Sequence, residues 1–508
     1  MNTRVIKWSA TLLLVSAIFV VEAQTTDELL QLGNHEVQGT ARFTGLGGAF
    51  NALGGDFGSL STNPAGIATY RSSEFVVTPS LTIANATTNF MGESLSDRYT
   101  RFGLANLGYV GTYLTRRSEG LVSINFGLGY NKTANFYKRT RLRGFDSPKS
   151  VLDKFEIYAK DKNLTPEYLG NNKFQNILPD DWSTAMAYTR GMIGYNENGG
   201  YFANGLAQGD VVDMYGSSIQ TGGTEEFTLS LGANISNRFQ IGMTVGLQDL
   251  KYTNHLNYRE AYLGTQNDVD DRYLSSNRNE YVRTTGTGVN AKFGIIYRPI
   301  NAFRLGFAVH TPTFFDMKRE YSVSMSANYK ATGDKGENSP SDIYEHTLIT
   351  PYRMEFGLAY IFGKIGLISV DYELTGNSSM RIRDNIINDG YISSRNDAIR
   401  HNYRNTSNVR VGAEINLPRG LMLRAGFNYF QSPYKDSSFD FSRYAYSGGI
   451  GYRGKYFFTD LAYTLNTGKY HFIPYKVNDY RVRNADSDSK AVENLKVGRI
   501  IATIGFRF

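Results

Sequence analysis

Two consecutive stretches of strict alternation constrain the fold more than any other feature of this sequence. Between residues 227 and 235, Phe227, Leu229 and Leu231 alternate with threonine, serine and glycine. Between residues 239 and 247 apolar side chains again occupy every second position, and a short turn separates the two stretches. Because successive side chains of a β-strand point to opposite faces, each stretch predicts a strand with one apolar and one polar face.

The same alternation recurs along the chain and predicts an all-β fold of about fourteen strands. The connections between these strands are alternately short and long. Bacterial outer-membrane barrels have an even strand number, short periplasmic turns and long external loops, whereas a soluble β-sandwich has no reason to sort its loops in this way. We therefore predict an antiparallel transmembrane β-barrel. Its strands are expected near residues 74–83, 101–115, 121–138, 224–236, 239–254, 280–298, 303–316, 350–361, 366–375, 406–416, 421–431, 443–452, 455–466 and 497–508.

The first 23 residues have the organisation of a secretory signal peptide. Arg4 and Lys7 precede an apolar run over residues 10–21, and residues 21–23 read VEA, a cleavage site of the A-x-A type. No later stretch is long and apolar enough for a membrane helix. The sequence therefore predicts export of residues 24–508 and localisation in the bacterial outer membrane.

A glycine-rich segment from Gly45 to Ala68 is predicted to fill the barrel. Its large apolar side chains recur every three or four positions, but each glycine costs a free-standing helix roughly 1 kcal/mol relative to alanine. Glycine suits a chain that packs closely against other backbone. We predict a leader and hatch over residues 24–73 and a barrel over residues 74–508, with an Asn-Pro turn anchoring the hatch to the wall. The hatch residues are Phe50, Leu53, Phe57, Leu60, Asn63, Pro64, Ala65 and Gly66.

The polar faces of the predicted strands place several charged side chains in the lumen. Charges inside a barrel need partners, so we predict a network that braces the hatch; a proton or ion pathway is the alternative. The predicted network consists of Arg353, Glu355, Asp371, Arg410, Glu414, Arg424 and Asp460.

The longest connection, residues 139–223, is predicted to be an external loop that is partly helical. Ser147 and Pro148 can start a helix, and the apolar residues from Val151 to Tyr158 recur at helical spacing. Loops of this length in a compact fold are usually functional.

Composition and motifs exclude several classes of function. Removal of the signal peptide deletes two basic residues and one acidic residue and lowers the net charge from +7 to +6, without a basic run that could follow nucleic acid. The sequence contains no G-x-S-x-G, P-loop or H-E-x-x-H motif, which favours a protein that is not an enzyme. Without cysteine, and with six histidines that lack paired spacing, we expect no metal and no cofactor, haem included.

Several segments, in order along the chain, resemble the FadL/TodX family of outer-membrane transporters for long-chain fatty acids and aromatic hydrocarbons. They are residues 63–66 (NPAG), 294–299 (GIIYRP), 305–306 (LG), 310–312 (HTP), 412–414 (GAE), 423–426 (LRAG), 432–433 (SP) and the last strand. The resemblance implies a barrel closed by a hatch, with passive uptake of a hydrophobic small molecule that leaves sideways through a gap in the wall. In the family a distortion of the third strand opens this gap, and Gly127 and Gly129 are the corresponding candidates; ordinary close packing of glycines in the wall is the alternative.

The remaining expectations concern partners. A barrel of this kind contacts outer-membrane lipid and lipopolysaccharide, and its terminal Phe508 resembles the signal that the barrel-assembly machinery recognises. A second hypothesis for the function is a barrel that acts as a shuttle or docking protein for secretion or surface assembly through the loop at 139–223. A third is a barrel enzyme with a serine beside a histidine in the wall.

Overall fold

The computed structural model describes residues 26–36, 38–171, 173–206, 210–262, 272–384, 389–437, 440–472 and 491–508. The predicted signal peptide lies outside these residues. None of the helices within them is long and apolar enough to cross a membrane. The elements in chain order are α1 (Thr26–Leu32), α2 (Ala41–Gly45), β1 (Glu74–Phe90), β2 (Glu93–Leu114), β3 (Leu121–Asn135), β4 (Lys138–Ser147), α3 (Val151–Asp161), α4 (Pro166–Leu169), α5 (Trp182–Thr189), β5 (Ile193–Asn196), β6 (Gly200–Ala203), β7 (Val212–Ile235), β8 (Phe239–Tyr262), β9 (Tyr273–Tyr297), β10 (Phe303–His310), β11 (Phe314–Tyr329), β12 (Gly333–Asn338), β13 (Asp342–Ile349), β14 (Arg353–Ile361), β15 (Gly366–Thr375), β16 (Arg381–Arg383), α6 (Asp389–Asn402), β17 (Thr406–Asn416), β18 (Leu421–Phe430), β19 (Arg443–Arg453), β20 (Phe457–Phe472) and β21 (Ala491–Arg507).

Fourteen strands form a closed antiparallel barrel, which confirms the predicted fold class. The last strand, β21, pairs with β1, so the sheet has no free edge around the ring. In order around the wall the strands are β1, β2, β3, β7, β8, β9, β10, β14, β15, β17, β18, β19, β20 and β21. Closure satisfies the backbone hydrogen bonds that lipid cannot satisfy.

The alternation of the sequence separates the two faces of the wall. On β7, Phe227, Leu229 and Leu231 are exposed to the outside, and each of the fourteen strands presents at least one large exposed apolar side chain. The residues between them on β7, such as Thr228 and Ser230, point inward and are buried. An apolar band outside a polar interior is the arrangement of a transmembrane barrel.

Several predicted strand boundaries are wrong. Strands such as β1, β7 and β8 extend farther towards the external end than predicted, and proline interrupts two others. The strand predicted over residues 303–316 is two strands, since β10 ends at His310 and β11 begins at Phe314. Pro312 lies between them and has no N–H to donate to a ladder. Likewise, the strand predicted over residues 350–361 begins only at Arg353, after Pro351.

The long connection between the third and fourth barrel strands folds into a cap. Strands β4 and β7 pair beyond the barrel wall, and the connection leaves the sheet only over residues 148–211. Helices α3 and α5 pack there in one apolar cluster, in which Leu152, Phe155 and Met186 are buried. Glu260 of β8 fixes the start of α3, because its carboxylate accepts hydrogen bonds from Ser150 Oγ at 2.5 Å and Val151 N at 2.7 Å.

Candidate functional site

The segment over residues 38–70, called the plug segment below, is almost fully buried and contacts the inward face of the wall. It consists of α2 and two short 3₁₀ turns, Phe57–Ser61 and Pro64–Thr69. Phe50 and Leu53 lie in one buried apolar cluster, and Phe57 and Leu60 lie in a second one. Ala65 and Gly66 are also buried.

The plug segment approaches the wall where the wall strands carry glycine. A Cβ atom on Gly294 of β9 would overlap the Asn63 side chain, and one on Gly306 of β10 would overlap the main chain of Asn51. Only glycine leaves room for such close approach. Other wall glycines whose added Cβ would meet the plug segment are Gly108, Gly127, Gly129, Gly232, Gly242, Gly357, Gly412 and Gly426.

Asn63 joins the plug segment to two wall strands. Its Nδ2 donates to the carbonyl of Asn51 at 2.7 Å, and to the carbonyls of Ile295 at 3.2 Å and Phe307 at 3.4 Å. Its Oδ1 accepts from the backbone N–H of Ala65 at 2.9 Å and caps the following 3₁₀ turn. The Asn63-Pro64 turn is therefore held against β9 and β10.

One group of buried charges connects the wall to the plug segment through Arg42. Arg424 donates to Glu414 at 2.6 Å and to Asp460 at 2.6 Å. Glu414 also accepts two hydrogen bonds of 3.0 Å from Arg42 in α2. Arg42 lies just before the glycine-rich segment and was not among the predicted network residues.

A second group surrounds Arg410. This guanidinium donates to Glu355 at 3.2 Å and also to Glu373, a residue that the sequence analysis did not single out. Nearby Asp371 accepts from the backbone N–H of Asn51 at 2.9 Å. Two carboxylates from neighbouring strands thus share one buried cation, and a third carboxylate beside them holds the plug segment.

A cavity of about 790 Å³ lies between the plug segment, helix α1 and the cap. This volume is in the range that holds drug-sized ligands. Part of its lining is apolar and aromatic, contributed by Leu32, Phe136, Phe155, Tyr252, Val282, Phe315, Phe430 and Tyr434. It can therefore bury a hydrocarbon chain or an aromatic ring.

The cavity also has a cationic side. Arg353 lines it, and its guanidinium forms no hydrogen bond or ion pair with the residues that the structure describes, although the carboxylates of Glu355 and Glu373 lie close enough to interact with it electrostatically. Lys292 lies nearby but is paired with Glu226 at 2.6 Å. Desolvation, followed by the charges of Arg353 and Lys292, lowers the pKa of His35 in the leader well below its usual range, so this histidine is neutral at pH 7.

Towards the external side of the barrel, the hydrogen-bonded pairing of β2 with β3 ends. Their pairing ends at Asn106 and Asn131; farther out, β2 pairs only with β1, and β3 and β4 pair only with β7. We call residues 93–105 and 132–147 the seam. Gly127 and Gly129 lie just below it, paired on both sides, where added Cβ atoms would overlap Ile67 and Phe57 of the plug segment.

Aromatic and cationic side chains close the seam. The ring of Tyr137 stacks on Tyr99 with centroids 5.4 Å apart, and the Arg101 guanidinium lies 3.9 Å from its centroid. Tyr137 also lines the cavity. Tyr137 therefore belongs both to the lining of the cavity and to the contacts that close the seam.

These features define a transmembrane barrel of the bacterial outer membrane with a filled lumen. No family model matches the sequence. The chain is similar to outer membrane protein P1 of Haemophilus influenzae, with 29% identity over 214 residues, or 39% of this chain. It spans about 43% of the length of that relative.

Comparison with solved structures shows the fold of FadL/TodX-type barrels. A FadL homologue of Pseudomonas aeruginosa superposes with a TM-score of 0.53 at 14% identity, over 94% of this chain and 100% of the other. The toluene transporter TodX of P. putida gives a TM-score of 0.53 at 11% identity, over 93% and 99% of the two chains.

Proposed function

We propose that this protein is an outer-membrane transporter for the passive uptake of hydrophobic small molecules such as long-chain fatty acids or aromatic hydrocarbons. The observation that carries the proposal is the partly apolar cavity between the plug segment and the cap. A closed barrel with a polar interior resists a greasy molecule, whereas this cavity offers it aromatic contacts at the external end. The solved barrels of similar fold include a toluene transporter.

The seam supports a sideways exit. Phe57 of the plug segment lies against Gly108 and Gly129, immediately below the point where the pairing of β2 and β3 ends. Movement of the plug segment would therefore act directly on the base of the seam. In this proposal the plug segment is a hatch, Gly127 and Gly129 let it seat there, and the substrate leaves between β2 and β3 into lipid.

Arg353, whose guanidinium forms no ion pair among the described residues, narrows the substrate class to amphiphiles with an anionic head. We predict that Arg353→Met weakens binding of a long-chain carboxylate about tenfold or more, because a hydrogen bond to a charged group contributes about 1.5–3 kcal/mol. Binding of the alcohol with the same chain should change little. Fluorescence displacement with the detergent-purified barrel measures both ligands.

The matched control is Arg443→Met, which removes a cavity-lining cation that lies over the Phe430 ring at 5.2 Å. This variant should keep the preference for the carboxylate. Equal loss for the acid and the alcohol in Arg353→Met would contradict an anionic head at this position.

The other proposals of the sequence analysis carry less support. His310 approaches the Thr62 carbonyl at 2.6 Å rather than a serine hydroxyl, and the barrels of similar fold include a toluene transporter and a monoaromatic hydrocarbon channel, which favours a protein that is not an enzyme. Lipopolysaccharide contact and recognition of the strand ending at Phe508 by the barrel-assembly machinery remain proposals. Exposed Tyr195 and Phe202 on the cap are the observation that favours the docking hypothesis.

A further inference from the structure

Three arginines follow one another on the outer face of β4. Arg139, Arg141 and Arg143 occupy alternate positions and are exposed, whereas Thr140 and Leu142 between them are buried. Inside the barrel, Thr140 donates to Glu493 at 2.6 Å. The strand therefore presents a row of guanidinium groups outward while its other face is fixed to the interior.

Little acidic charge balances this row. Arg141 is paired with Asp97 of β2 at 2.9 Å and remains 55% exposed. Arg139 and Arg143 have no acidic partner within the part of the chain that the structure describes. Their neighbours are aromatic: Arg143 lies 3.9 Å from the Phe145 centroid, and Arg139 lies 5.7 Å from that of Tyr99.

On the neighbouring strands the same outer face carries tyrosine, asparagine and serine side chains, which can form hydrogen bonds with sugars. In register with Arg143 lies Tyr215 of β7, and in register with Tyr215 lies exposed Arg259 of β8. Beside them, Asn257 Nδ2 donates to Asn277 at 2.7 Å and to Asn279 at 2.6 Å. A groove of about 360 Å³ crosses this face, lined by Ser217, His255, Asn257, Asn279, Tyr281 and Ser324.

The position of the face relative to the membrane indicates its occupant. On β2 the exposed Phe102 marks the upper part of the lipid-facing band, and Asp97, the partner of Arg141, is five residues farther out. Five residues span about 16 Å along a strand. A strand tilt of about 40° leaves about 12 Å along the membrane normal. The arginine row thus lies above the hydrocarbon layer, at the level of headgroup saccharides.

We propose that this outer face binds the phosphorylated saccharide headgroup of an outer-leaflet glycolipid, a lipopolysaccharide. The guanidinium groups of Arg139, Arg141, Arg143 and Arg259 contact its phosphates, since arginine matches phosphate in charge and in bidentate geometry. The amides and hydroxyls of the groove contact its sugars. Bound glycolipid would lie along the seam on its external side. The site depends on the outer-membrane location and not on which substrate is transported.

The test measures binding of lipopolysaccharide with a phosphorylated core to the detergent-purified full-length barrel. We expect R139Q/R143Q to weaken binding about 30-fold, because each basic residue at an anionic membrane surface contributes about 1 kcal/mol. This variant keeps Arg141 and its ion pair, and the heat-dependent shift in gel mobility checks that the barrel is folded. The matched control R117Q/R238Q removes two exposed arginines from the turns at the opposite end of the barrel and should bind as the unmodified protein does.

Three further measurements test whether the arginines bind the phosphates of the glycolipid. Dephosphorylated lipopolysaccharide should bind the unmodified protein more weakly than R139Q/R143Q binds the phosphorylated form, because it loses the contacts of all four arginines. Dephosphorylation should weaken binding by R139Q/R143Q less than it weakens binding by the unmodified protein, because only Arg141 and Arg259 remain. Millimolar inorganic phosphate should not displace the glycolipid. Unchanged binding by R139Q/R143Q, an equal loss in the control, indifference to dephosphorylation, or displacement by free phosphate would each overturn the proposal.

Discussion

Replacing Gly294 by leucine is expected to unseat the plug segment and open the barrel to ions. The new side chain would occupy the position of the Asn63 amide, which bonds to the carbonyls of Asn51, Ile295 and Phe307. Overpacking costs about 1–3 kcal/mol, and the loss of buried hydrogen bonds costs about 1–3 kcal/mol more. A total of about 2–6 kcal/mol shifts the balance between seated and unseated states by at least tenfold.

Single-channel conductance in planar bilayers measures this effect. Gly448→Leu is the matched control, because Gly448 lies in wall strand β19, outside the seam, and a Cβ there meets no heavy atom closer than 3.8 Å. The control should conduct like the unmodified protein, whereas Gly294→Leu should show frequent large openings. If both variants conduct alike, the contact between Asn63 and the wall does not hold the plug segment in place.

Replacing Arg424 by leucine is expected to cause the largest loss of stability of any single change considered. The Arg424 side chain is fully buried, and its removal leaves Glu414 with Arg42 alone and Asp460 with a more distant Arg453 at 3.8 Å. Removing one partner of a buried ion pair costs about 3–5 kcal/mol, because a charge stays buried without compensation. Unfolding by guanidinium of the barrel in lipid vesicles measures the loss.

Two comparisons isolate the electrostatic cause. Arg117→Leu, in an exposed turn, should lose less than about 0.5 kcal/mol. In the Arg424→Leu background, Asp460→Asn should recover part of the stability, since the uncompensated charge is removed. A loss in Arg424→Leu no greater than in Arg117→Leu, or no recovery in the double variant, would show that the charges do not brace the wall.

The sequence predicts the barrel well because membrane and lumen impose opposite demands on alternate residues. Phe227 is apolar because it faces lipid, and Ser230 is polar because it faces the lumen. Alternation also identifies which charged residues point inward. It does not identify their partners. Glu373 lies two residues after Asp371 on the same inward face of β15, so alternation could have identified it, whereas Arg42 lies in α2, outside the period-two pattern of the strands.

Features that depend on contacts between distant parts of the chain cannot be predicted from such patterns. The seam depends on a register shift between Lys132 and Ala134 and on the loss of pairing beyond Asn131, neither of which leaves a local signal in composition. The cavity arises where the leader, the cap and distant strands converge, and its residues are scattered from Asp27 to Arg499. Period-two patterns report the face of a strand and carry no information about which loop covers it.

Mass spectrometry of small molecules retained after mild detergent extraction tests the transport proposal most directly. The proposal predicts a near-stoichiometric amphiphile with one hydrocarbon chain and an acidic head, lost when Val282→Trp fills the cavity and kept when Val289→Trp adds the same bulk to the lipid-facing side of β9. A barrel that retains no apolar ligand, or one whose retained ligand is indifferent to Val282→Trp, would contradict a hydrophobic-substrate transporter.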